Sequence, residues 1–140
     1  MDRLSPDDRS RLMGRIRGKD TKPEVAVRRL LFSLGYRYRL HRKGLPGRPD
    51  IVFPGRRKVI FVHGCFWHQH EGCPRAFTPK SRAEYWKAKL DSNRERDRVT
   101  ISRLDAQGWR SLVVWECEVA GEGLQQRLVR FLEDPEAQTN

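Results

Sequence analysis

Cys65, His70 and Cys73 stand at the spacing C-x4-H-x2-C inside HGCFWHQHEGC (63–73), and a third cysteine, Cys117, ends the segment VVWEC. Three thiolates and one imidazole are the usual donor set of a closed, tetrahedral structural zinc site. One shared ion would force the end of a late strand against a mid-chain loop, a strong constraint on the fold. The alternative is a surface loop rich in histidine beside unrelated cysteines, which leaves Cys117 a solitary thiol. Disulfides are the poorer reading, because three is an odd number and no signal-peptide core opens the chain. A closed site has no open coordination position, so this zinc is expected to hold structure and not to catalyse. His63 and His68, in the same eleven residues, are then left without a structural task.

The rest of the chain bounds the partner. Lys and Arg number 29 against 18 Asp and Glu, a formal charge of +11 spread well beyond any tail. A polyanion is the favoured partner, since each neutralised phosphate releases condensed counterions. No apolar run reaches bilayer length, so the protein is read as cytoplasmic. At 140 residues a single domain (1–140) is expected, acting as a monomer.

Organisation follows from local signals. Ser5-Pro6 reads as a helix start, with a narrow apolar stripe at Leu12, Met13 and Ile16. Thr21 and Glu24 fit a capping box, and Val27, Leu30, Leu31 and Leu34 continue at helical spacing to Gly35. YRYRL (36–40) alternates like a strand, and residues 50–62 read as a β-hairpin turning at PGRR. Ser81 and Glu84 mark another capping box. Its helix is expected to run to Gly108, with a break near Asp91-Ser92. WRSLVVWEC (109–117) is a buried-type strand, and GLQQRLVRFLED is a closing helix. Helices before and after a short sheet indicate a mixed α/β domain.

Asp50 follows LPGRP and opens a strand, which sets its carboxylate at a sheet edge. A Pro-Asp pair there, before a hairpin, is similar to the metal-dependent nucleases of the PD-(D/E)xK type, although VIFVHG supplies no Glu-x-Lys. Taken together, LPGRPD, HGCFWHQHEGC, the EYW helix and NRERDRVTISRLDAQGWRSLVVWEC resemble the very-short-patch repair (Vsr) DNA mismatch endonucleases from about Met13 to Cys117. The resemblance implies a restriction-endonuclease-like mixed sheet flanked by helices, with a structural zinc. It also implies Mg²⁺-dependent nicking 5′ to the T of a T:G mismatch left by deamination of 5-methylcytosine. Carried over to this chain, Asp50, His63, His68 and Glu24 would be catalytic, with Mg²⁺ on Asp50 and the main-chain carbonyl of Val62. Zinc would sit on Cys65, His70, Cys73 and Cys117. Mismatched double-stranded DNA would meet Phe66, Trp67 and Trp86 as a wedge, Met13 from the opposite groove, Lys89 and Asn93. Mismatch-repair proteins are candidate partners. Val62 departs from the threonine that the family often has.

That chemistry is sound from the bottom up. Phosphodiester hydrolysis needs an activated water, neutralised charge and a stabilised leaving oxygen. An imidazole's ordinary pKa of ~6.5 suits it to take a proton from water. Glu24 is equally explained by its capping box, Met13 by a core position, and Trp67 or Trp86 by cover for the core. An aromatic wedge costs a few kcal/mol of unstacking per step, less at an imperfect pair, and so senses mismatches. Two rivals remain: a related zinc-stabilised nicking nuclease of looser specificity, and a zinc-containing DNA-binding module without activity.

Overall fold

A computed structural model describes residues 20–134. The expected N-terminal helix (5–17), with Met13, lies outside them. The elements are α1 (Lys22–Ser33), β1 (Arg39–Leu40), β2 (Ile51–Phe53), β3 (Lys58–His63), α2 (Ala83–Ala106), β4 (Arg110–Trp115), a 3₁₀ turn (Glu116–Glu118) and α3 (Leu124–Glu133). The four strands lie in the order β1-β2-β3-β4. The first two pairings are antiparallel, and β3 pairs with β4 in parallel through the α2 crossover. Parallel neighbours need such a crossover, which is why one long helix separates these strands in sequence.

Alternation along the strands assigns the two faces of the sheet. Ile51, Phe53, Ile60, Leu112 and Val114 pack with Val27 and Leu31 of α1 and with Leu124, Leu128, Phe131 and Leu132 of α3. Val52, Val59, Phe61 and Val113 pack with Leu104 of α2 and with Trp109. The result is a mixed sheet between helices, as expected. Lys58 is buried at the first position of β3. Its ammonium donates to the carbonyls of Phe131 and Asp134 (2.5 and 2.8 Å), closing the C-terminal end of α3. No described helix is long and apolar enough to cross a membrane.

Three local expectations are corrected. Of YRYRL only Arg39–Leu40 joins the ladder, because β2 offers three residues and the tyrosines are used otherwise. Tyr36 and Tyr38 turn their ring edges to Phe53, and their hydroxyls donate to Glu133 and to the Arg28 carbonyl. The helix from Ser81 has no side-chain cap. Its N-cap is Arg82, held in the left-handed region at φ 55°. Nor does it break at Asp91-Ser92: Lys87 pairs with Asp91 at 2.9 Å one turn apart, and Leu90 and Asn93 are buried.

Candidate active site and metal centre

The start of β2 and the end of β3 open onto a cleft of about 740 Å³, lined by Glu24, His41, Asp50, Val62, His63, Trp67, His68, Asn93, Arg96, Asp97 and Thr100, among others. Asp50 lies at the hairpin end opposite its turn. Its Oδ2 accepts the Val62 N–H at 2.7 Å, and its carbonyl accepts the His41 N–H at 3.1 Å. Burial pushes the Asp50 carboxyl up to about 6; the Val62 N–H opposes this, and the charge of Glu24 adds to it. A carboxylate so placed is stabilised by a cation, and the open cleft gives one room.

Glu24 departs from its expected capping box in an informative way. Thr21 Oγ1 does accept the Glu24 N–H (3.4 Å), but the Glu24 carboxylate does not return to the cap residue. It is fully buried, accepts the Asp20 N–H at 3.3 Å, and lies 2.7 Å from His41 Nε2 and 3.7 Å from Arg28. The carboxylate therefore spans from the Asp20 N–H just before the helix to His41 in the cleft lining.

His63 ends β3 on the α2 face and is 6 % exposed. Burial, and after it the neighbouring His68, push its imidazole down to about 3, so it is neutral at working pH. Its ring stacks on His68, centroids 3.7 Å apart and planes 4° from parallel, and its Nδ1 has no hydrogen-bond partner among the described residues. His68 Nδ1 lies 2.6 Å from Asp97 Oδ2 on α2. That carboxylate favours the proton on Nδ1 and leaves Nε2 as the acceptor.

One residue later the chain reverses its facing. Gln69 sits in the left-handed region (φ 49°), anchored by its amide to the Phe66 carbonyl at 2.7 Å. His70 consequently turns to the cysteines, its Nδ1 3.6 Å from Cys65 Sγ and 3.4 Å from Cys117 Sγ. One donor atom from each of Cys65, His70, Cys73 and Cys117 lies within 4.8 Å of all the others, a set able to hold a metal ion. Burial pushes the Cys65 thiol up to about 12, so its thiolate form needs a cation beside it. The indole of Trp115 separates the two groups. His70 stacks flat on it at 4.2 Å, while His63 meets it edge-on at 5.3 Å.

Phe66, Trp67 and Trp86 form one half-buried cluster, with centroids 5.0 to 6.0 Å apart. Asn93 is buried and donates to the Trp67 carbonyl at 3.1 Å, so it positions the aromatic loop as well as lining the cleft. Lys89 lies one helical turn before it on α2, partly buried.

The sequence profile of the family DNA mismatch endonuclease Vsr matches residues 1–75. The chain belongs to that family. It is 44% identical over 130 residues to the DNA mismatch endonuclease Vsr of Escherichia coli, covering 89% of this chain and 83% of that one. The type II nicking enzyme V.XorIIP of Xanthomonas oryzae is 56% identical over 134 residues, covering 96% and 98%. The fold matches the catalytic domain of the homing endonuclease I-Bth0305I with a TM-score of 0.58 at 18% identity, covering 84% of this chain and all of that one. Like its family, the protein is an endonuclease acting on DNA.

Within this candidate site, sequence reasoning missed three residues. His41 and Asp97 are the partners of Glu24 and His68, and Glu116 accepts the Cys65 N–H at 2.9 Å. Only Asp97 carried a signal: it lies inside NRERDR, one helical turn beyond Asn93.

Proposed function

We propose that the protein nicks one strand of duplex DNA 5′ to the T of a T:G mismatch by Mg²⁺-dependent hydrolysis, on a single domain stapled by zinc. The observation that carries this reading is the convergence of Asp50, Glu24, His63 and the His68–Asp97 pair on one cleft, beside the Phe66–Trp67–Trp86 cluster. Asp50 and the main-chain carbonyl of Val62 would hold Mg²⁺. Bound there, Mg²⁺ supplies Lewis-acid neutralisation of phosphate charge. Asp97 holds His68 in the tautomer whose Nε2 can take a proton from water. His63, kept neutral by burial, offers a hydrogen bond without adding charge, near the phosphate or the leaving oxygen. Glu24, fixed by His41 and Arg28, keeps negative potential beside Asp50 and so favours the cation.

The zinc assignment rests on donor chemistry and spacing. With Zn–S near ~2.3 Å and Zn–N near ~2.0 Å, a tetrahedral edge from sulfur to nitrogen is about 3.5 Å. The two separations at His70 are 3.6 and 3.4 Å. Zinc would fix the loop that presents Phe66 and Trp67 on one side and His63 and His68 on the other. Wedge insertion costs less at a mispaired step, which gives T:G discrimination without a large interface. The relatives named above are bacterial, which supports action on the nucleoid in the cytoplasm.

The name of the Xanthomonas relative favours a second reading, in which nicking depends on another sequence context. Nicking of labelled duplexes carrying each mismatch in several contexts, with and without Mg²⁺, tests both. Preference for T:G supports the first reading. Equal cutting of paired and mismatched duplex in one context supports the second.

A further inference from the structure

On the helix wall of the cleft, Asn93, Arg96, Asp97 and Thr100 form one stripe at helical spacing. Three of the four are engaged within the protein. Asn93 holds the Trp67 carbonyl and Asp97 holds His68. Thr100 abuts the loop before β2 so closely that a Cβ on Gly47 would lie 2.3 Å from its methyl group. Arg96 is exposed and makes no ion pair or side-chain hydrogen bond among the described residues. On the loop before β2, which meets this helix at Gly47 and Thr100, Arg48 is likewise exposed and unpaired among the described residues, and its backbone sits in the left-handed region at φ 47°. An arginine there is strained where glycine would not be.

The carboxylates of the same cleft do not claim these guanidiniums. Glu24 is held by His41 and Arg28, Asp50 by the Val62 N–H, Asp97 by His68, and Glu116 by the Cys65 N–H and Arg75. Four carboxylates would repel an entering polyanion, since they lie well within a Debye length of about 8 Å from any phosphate in the cleft. Two exposed, unengaged cations in its lining offset that repulsion and present forked donors suited to phosphate oxygens.

We propose that Arg48 and Arg96 are a paired phosphate clamp. They grip backbone phosphates of the strand to be cut, one from the loop before β2 and one from α2. The clamp rests on the nuclease reading above but not on its mismatch preference.

The test compares Arg96→Gln, Arg48→Gly and, as a charge control on the far helix, Arg130→Gln. Each clamp variant should lower single-turnover nicking by about tenfold or more, as loss of a charged hydrogen bond does. Each should also reduce the slope of log affinity against log salt by about 0.9, the value for one lost phosphate contact. Arg130→Gln should do neither. Arg48→Gly should melt no lower than the parent, because glycine relieves the backbone. A duplex with a single methylphosphonate at the gripped phosphate should erase the Arg96→Gln effect, and scanning the phosphates flanking the nick locates it.

Unchanged slopes and rates would overturn the clamp. So would an Arg48→Gly protein that melts lower with its salt slope intact, which would make Arg48 structural, or a scan in which no position couples. If the parent cuts T:A and T:G duplexes equally, the mismatch reading fails, yet the arginine effects remain readable on either duplex.

Discussion

Two sites share the loop from His63 to Cys73, and they are built on opposite rules. The Cys65, His70, Cys73 and Cys117 group turns four soft donors toward one point. The cleft instead holds hard carboxylates and three imidazoles whose polar atoms are largely satisfied by one another, around about 740 Å³ of open space. The first arrangement suits an ion that never leaves; the second suits a cation and a phosphate that come and go. One left-handed residue, Gln69, and one indole, Trp115, keep them apart. Stability and chemistry can therefore be perturbed separately, although the side chains involved alternate along a few residues.

The sharpest break comes at Asp50. Asp50→Ala should reduce nicking on the order of 10³-fold, the scale for losing a preorganised charge-stabilising group, with metal content and DNA binding retained. Full activity in that variant would remove the cleft as the site of chemistry. Next, His68→Ala and His70→Ala should separate cleanly. The first should lower nicking by about 10²-fold or more with zinc intact, and the second should lose zinc. If His68→Ala sheds metal, Gln69 does not divide the loop as described.

Cys117→Ser tests the other site through stability. Structural metal binding is folding free energy, so zinc content and melting temperature should fall together. A folded Cys117→Ser protein with its full zinc complement would exclude that thiolate from the group.

The halves of this comparison were unequally legible in the sequence. Cys65, His70 and Cys73 announce themselves by spacing, and Thr21, the 50–62 hairpin and the closing helix by capping and periodicity. The resemblance supplied Asp50, His63 and His68. His41 stayed hidden because its partner lies 17 residues away and it completes no local pattern, and Asp97, 29 residues from its partner, had only its place inside NRERDR to mark it. Glu24 shows the converse failure. A local rule explained it so well that its side chain's real direction, toward His41, was obscured. The expected break at Asp91-Ser92 failed for the same reason: Asp and Ser are poor helix formers, but Leu90 and Asn93 bury their side of the turn.

A smaller effect concerns pH. The folded carboxyl of Asp50 titrates near about 6, above its ordinary 3.8, so the folded protein holds a proton that the unfolded chain releases. Its contribution therefore turns against folding as pH rises from about 4 to about 6, and is constant above that. Asp50→Asn keeps an acceptor for the Val62 N–H but carries no charge. Without divalent cation it should melt higher than the parent at pH 7, by the equivalent of about 1–3 kcal/mol, and nearly equal to it at pH 4. Melting curves at the two pH values decide this, and a gap that does not grow with pH would refute the burial argument.

The smallest effect is expected at Val62, where the chain departs from the threonine that the family often has. The strand faces make the reason physical. Val62 packs with the α1 and α3 core, whereas His63 turns to the α2 side and its cleft. What Val62 gives the site is backbone: its N–H holds Asp50 at 2.7 Å, and its carbonyl is the proposed Mg²⁺ ligand. Both positions are fixed by pairing with β4, where Val62 lies opposite Val114. Val62→Thr should thus leave the nicking rate and its Mg²⁺ dependence nearly unchanged. It should cost about 1 kcal/mol of stability by placing a hydroxyl against apolar neighbours. Rates measured across Mg²⁺ concentrations, beside melting temperatures, read the two terms independently. A large gain in rate with threonine would mean that the side chain reaches the cation, and that the separation of core face from cleft face at this strand end is wrong.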